Sequence, residues 1–163
     1  MPVNDTGRKY FTDVVKGVNT FENSNAMQYN FTTITPAIAA TTVEPMGIPL
    51  IYNETAGEWQ IVADTNIAEL GGSGSGLPND GFVAIIVGTA FGAGFNNKDV
   101  DLATEDVTVL FRGANNTGVV RDGIDFTLAT LSAPNQANYE KALEAVGIMV
   151  IDNAEVVSPT YTS

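Results

Sequence analysis

Apolar and polar positions alternate along much of the second half of the chain. Val107, Val109 and Phe111 alternate with Thr108, Leu110 and Arg112, the pattern of a strand with at least one buried face. Gly113 to Gly118 is a turn cluster of Gly, Asn and Thr. Ile124, Phe126 and Leu128 alternate with Asp125, Thr127 and Ala129, which predicts a second strand. The period then changes. Ser132, Pro134 and Asn135 supply helix-start chemistry, and Gly147 supplies a left-handed stop. Between them Tyr139, Ala142, Leu143 and Val146 fall on one face, while Glu140, Lys141 and Glu144 lie off it. This predicts one short helix over 135–146, then a last strand over 148–152. A helix this short is marginal in water, so it must dock through its apolar face, with Tyr139, Leu143 and Val146 as its core residues.

Earlier in the chain the pattern is more varied. Residues 1–35 mix Lys, Asp, Asn and Gly with isolated apolar residues, among them Tyr10, Phe11, Val14, Val15 and Phe21. No helical stripe is sustained, which suits an extended arm; the alternative is a short N-terminal strand packed on its own domain. A β-rich domain over 36–163 follows. Ile48 to Tyr52 and Glu58 to Ala63 flank Asn53-Glu54-Thr55-Ala56-Gly57, a hairpin loop by composition. Trp59 reads as a core or interface anchor. Gly71 to Gly76 is a Gly-Ser segment with the composition of a flexible loop or linker. Phe82 to Val87 is a continuous apolar run, the signature of a strand buried on both faces.

Composition narrows the chemistry. The 163 residues suit one domain, and 19 acidic against 7 basic residues give a formal net charge of −12. Such a charge argues against nucleic acid or an anionic membrane as partner. There is no cysteine, so no disulfide framework, and no histidine, the commonest general base and metal ligand. The Gly-Ser segment lacks the Gly-Lys-Ser/Thr of a phosphate loop, and Gly92-Ala93-Gly94-Phe95-Asn96-Asn97 fails the dinucleotide pattern at its third glycine. Asp99, Asp101, Glu105 and Asp106 cluster without the spacing, central Gly or closing Glu of a calcium loop, and read as a solvated acidic loop. No serine-nucleophile motif occurs and no carboxylate pair stands out. The expectation is a protein that is not an enzyme and that carries no metal and no cofactor.

The order of segments resembles one family, the lambda-like bacteriophage head decoration proteins. The parts that carry the resemblance are Met46 to Tyr52, Gly57 to Val62, Asp80 to Val87, Val107 to Gly113 and Tyr139 to Val150. In that family a strand ending in Arg-Gly or a similar pair precedes a variable loop, a helix with a Leu-Gly-like or Val-Gly-like exit, and a short final strand. The resemblance implies a mainly β (α+β) fold, a compact β-tulip-like body with one short C-terminal helix and an extended N-terminal arm. It implies a homotrimer on the outer surface of the virion capsid, with the major capsid protein as partner. There the arm, through the stretch containing Tyr10, Phe11, Val14 and Val15, would add a strand to capsid protein. On this reading the core lies after the arm, so a chain lacking the residues before Phe31 would still fold. The chain departs from the family pattern in its longer arm, its Gly-Ser loop, the segment from Thr89 to Glu105 and a tail after Asp152.

A different class of function is a carbohydrate-binding or adhesin-like β-module on a virion or cell surface. Trp59, Tyr52 and Tyr161 would then form a stacking face. Coplanar, solvent-facing rings would support sugar binding, and buried rings would support the decoration reading.

Overall fold

The computed structural model describes residues 8–10, 14–17, 29–38, 42–53, 56–67, 83–113 and 117–152. The Gly-Ser segment, Phe11, Tyr161 and the tail after Asp152 lie outside these residues. The chain is mainly β, with an α-helix near its C-terminal end. Its strands are β1 (Val15–Gly17), β2 (Tyr29–Ile34), β3 (Thr42–Val43), β4 (Pro49–Asn53), β5 (Glu58–Ile61), β6 (Val83–Thr89), β7 (Gly92–Ala93), β8 (Val100–Asp101), β9 (Val107–Gly113), β10 (Thr117–Val120) and β11 (Met149–Ile151). The helix, α1, spans Ala133–Ala145.

A central antiparallel sheet has the order β2-β9-β6-β4-β5, with β7 folded back on the end of β6. Strand β6 is buried along its whole length, as its continuous apolar run predicts. Its pleat sends Val83, Ile85 and Val87 into one apolar cluster and Ala84 and Ile86 into another. The first cluster is roofed by α1 through Tyr139, Ala142 and Leu143, and by Val14, Val15 and Val119. The second is closed by Val100 and Leu102, near the two-stranded pair β3-β8. The central sheet is thus the middle layer of the fold, with an apolar core on each face.

The C-terminal half is organised by a parallel pairing. Strand β11 lies parallel to β10, with Val119 opposite Val150. Parallel neighbours need a long crossover, and the segment through α1 supplies it. The hairpin over Asn53–Gly57 forms as expected: Tyr52 faces Trp59 across β4 and β5, and Gly57 sits at φ 72°. The expected strand over Ile124–Leu128 does not form. A 3₁₀ turn at Arg121–Gly123 replaces it, followed by a turn in which the Asp125 carboxylate accepts from the backbone N–H of Thr127 at 3.0 Å. Side-chain capping of the local backbone wins over the ladder that the alternation suggests. Strand pairing occurs earlier, at Thr117–Val120, where buried Val119 and Val120 find β1 and β11.

The N-terminal strands also differ from expectation. Val15 pairs with Val119 and Lys16 with Gly118, while β2 pairs with β9 along six positions. Val14 and Val15 are buried in the main core. The division between an arm over 1–35 and a body over 36–163 does not separate these strands. The reason is that β10 and β9 each have an edge that needs a partner, and this chain provides both partners itself.

Helix α1 carries the expected start and stop, with one difference. Ser132 occupies the N-cap position without a side-chain cap of its own. Asp64, 68 residues earlier, braces the start of the helix from outside: its carboxylate accepts from the Ser132 backbone N–H at 3.0 Å and from the Asn135 side-chain amide at 2.7 Å. These hydrogen bonds, the Asn135 amide first, hold the Asp64 carboxyl below its ordinary pKa. At the other end Gly147 has φ 85°, and the Ile148 and Gly147 N–H groups donate to the carbonyls of Leu143 and Glu144, a complete Schellman motif.

Two outcomes follow from the helix. Leu143 is fully buried, so Leu143→Ala should lower stability by about 2–5 kcal/mol in a urea titration. An effect below about half a kcal/mol would place that face in water. Asp64 has a lowered folded pKa, so its contribution is present above the ordinary aspartate value near pH 4 and is lost as pH falls through the folded value. Asp64→Ala should therefore lower the melting temperature at pH 7, and the gap to wild type should shrink below about pH 4. A gap independent of pH would show that the carboxylate charge plays no part.

Candidate interaction surface

The candidate site residues fall into two groups. Tyr139 and Leu143 lie in the main core, and Val146, half-buried, packs against it. Gly113 and Gly147 meet here. The Gly113 N–H donates to the Val146 carbonyl at 2.9 Å, and a Cβ on Gly113 would stand 2.0 Å from the Gly147 oxygen. The Arg-Gly strand end and the Val-Gly helix exit are therefore one contact, and that contact requires glycine.

The second group is scattered. Val14 and Val15 are core residues with no exposed side chain to offer a partner. Tyr10 is exposed, beside a strip of chain clipped to the body. There the Lys9 backbone N–H donates to the Glu44 carboxylate at 2.5 Å, and the Asn96 amide donates to the Lys9 carbonyl at 2.9 Å and to Glu44 at 2.8 Å. Arg8 reaches Asp99 at 2.5 Å.

The acidic loop is held by its own hydrogen bonds. Glu105 pairs with Lys98 at 2.7 Å and accepts from the Asp101 backbone N–H, and both bonds keep its carboxyl below the ordinary range, Lys98 foremost. Asp101 accepts from the Ala103 N–H, and Thr35 donates to Asp106. Among the described residues no group of three or more acidic side chains converges as a cation site would require.

A cleft of about 700 Å³ runs beside the edge strand β5, lined by Ile38, Glu58, Gln60, Asn66 and Leu128 among others. Three of its polar side chains, Glu58, Gln60 and Asn66, are bonded to one another. Asn66 and Asn53 donate to the Gln60 side-chain oxygen Oε1, and the Gln60 side-chain amide Nε2 donates to Glu58. Glu58 is the single carboxylate among its described lining residues, and glycoside hydrolysis calls for two. Tyr52 and Trp59 are half-buried and meet edge to face, with centroids 5.5 Å apart and planes at 71°. They do not offer coplanar stacking rings, and Trp59 packs against the second core as an anchor.

Among the described residues, the most exposed aromatic surface is one that the sequence pattern did not single out. Phe91, in the β6–β7 turn, and Phe95, two residues past β7, are 70% and 51% exposed, with ring centroids 6.2 Å apart. The signal was present as two Phe residues bracketing Gly92-Ala93-Gly94, but it has no periodicity to mark it. Compared with known proteins, the chain matches no family model and no curated sequence.

Proposed function

We propose that this chain is a non-enzymatic capsid decoration protein that binds the outside of an expanded phage head as trimers and stabilises it against the pressure of packaged genome. The observation that carries the reading is the ordered set of segments: hairpin, buried strand, strand ending in Arg-Gly, helix with a Val-Gly exit, short last strand. In this chain those segments build one body, and the Arg-Gly and Val-Gly ends are joined at Gly113 and Gly147. The mainly β fold and the acidic charge support the same reading.

The mechanism is one of binding alone. A trimer engages several shell subunits at once, so each weak contact gains from a high effective concentration. Binding the expanded shell and not the unexpanded one stabilises the former by mass action. The charge of −12 discourages adhesion to escaped DNA. Because Val14 and Val15 serve the protein's own core, the shell contact falls on other residues.

The test is thermal. Expanded shells heated with and without the purified protein should rupture at a higher temperature when it is bound. An unchanged rupture temperature at saturating protein would contradict the reading.

A further inference from the structure

The hairpin that carries Phe91 and Phe95 is built rigidly. Thr89 pairs with Gly92 and Gly88 with Ala93, leaving Ala90 and Phe91 as the turn. The Thr89 N–H donates to the Phe95 carbonyl at 2.9 Å and the Gly94 N–H to the Val87 carbonyl at 2.8 Å. The Phe91 N–H donates to the Thr89 hydroxyl, and the buried Thr108 hydroxyl donates to the Thr89 carbonyl at 2.7 Å. A Cβ on Gly88 would stand 2.0 Å from the Gly92 oxygen, so this close approach depends on glycine. The fold thus holds two large apolar rings in water on a braced support. That arrangement costs solvation in the free protein, and it lowers the ordering cost on binding.

The surroundings identify the occupant. Asp106 immediately precedes Val107, which pairs with Thr89 at the hairpin root, and Lys98 and Asp99 follow Phe95 closely in the chain. The loop from 98 to 106 holds four carboxylates, at Asp99, Asp101, Glu105 and Asp106; Arg8 pairs with Asp99 and Lys98 with Glu105, which leaves the loop net negative through Asp101 and Asp106. A second copy placed symmetrically on this tip would bring acidic loops together in a chain that already carries −12. We propose that the Phe91–Phe95 tip is a preformed wedge that inserts into an apolar, basic-rimmed pocket of a different protein, the shell subunit. This inference rests on the decoration reading and assigns its contact surface. The two rings are the anchors, and the acidic loop selects and steers the partner.

The experiment measures binding of three proteins to expanded shells: wild type, Phe91→Ser/Phe95→Ser and Phe91→Leu/Phe95→Leu. All three should melt alike, since the rings lie outside both cores. The Ser pair should bind about tenfold or more weakly, as expected for lost anchor residues, and the Leu pair should recover most of the affinity. Wild-type binding should weaken as salt is raised. Equal binding by the Ser pair, with wild type bound normally, would overturn the wedge and leave the decoration reading standing. A Ser pair that falls to a smaller mass in solution would show that the tip docks on another copy, which also overturns it. Failure of wild type to bind any shell would remove both.

Discussion

A chain lacking residues 1–17 is expected to be less stable than the intact protein by about 3–6 kcal/mol, taking roughly 1.5–3 kcal/mol for each of the two buried valines. Val14 and Val15 lie among Val119, Ile124 and the face of the C-terminal helix, and β1 forms one edge of the sheet that contains β10. Their loss would expose Val119 and leave β10 without its antiparallel neighbour. Because a domain's net stability is only about 5–15 kcal/mol, this is a large fraction of it. Urea titration of the truncated chain beside wild type measures the effect. A midpoint and slope equal to wild type would mean that β1 contributes nothing in solution and that these residues form a free arm after all.

The second large effect is expected at Tyr139. It is fully buried, stacked edge-on against Phe126, and its hydroxyl lies 3.0 Å from the Leu50 carbonyl and 2.8 Å from the Ala84 carbonyl. Leu50 and Ala84 face each other across β4 and β6, so one hydroxyl on the helix bridges the two central strands. Tyr139→Ala should cost about 3–5 kcal/mol, the range for deleting a large buried ring. Tyr139→Phe separates the hydrogen bond from the ring and should cost about 1–3 kcal/mol, because it takes the hydroxyl from both buried carbonyls. Burial pushes the Tyr139 phenol far above its ordinary pKa. A group with a raised folded pKa stabilises below its unfolded value and loses that contribution as pH rises. Wild type should therefore lose stability above about pH 10, and Tyr139→Phe should lose less over the same range. A Phe variant as stable as wild type at every pH would remove the hydroxyl from this account.

What the sequence made legible was local. The helix announced itself through Ser132, Pro134 and Gly147 around a single apolar face, and the structure forms it two residues earlier than predicted, over Ala133–Ala145. The apolar run ending at Val87 and the Asn53–Gly57 hairpin were equally plain, because burial on both faces and turn chemistry each leave a short-range mark. Partners distant in the chain left none. Val15 meets Val119 and Asp64 bonds to Ser132, 68 residues away at the start of the helix, and nothing in the neighbouring residues indicates either contact. The alternation at Ile124–Leu128 misled because Ile124 is held in the core by a turn that the Asp125 carboxylate stabilises, with Leu128 left exposed. The proposed interaction surface was the least legible part. Exposed Phe91 and Phe95 look in sequence like any core aromatics, and only their place in the β6–β7 turn and just past β7 distinguishes them.

The central claim is that this protein recognises an expanded capsid shell. Co-sedimentation with purified expanded and unexpanded shells, run side by side, tests it most directly. The account predicts saturable binding to the expanded shells, in multiples of three copies per site, and none to the unexpanded ones. Absence of binding to expanded shells, or equal binding to both forms, would contradict it.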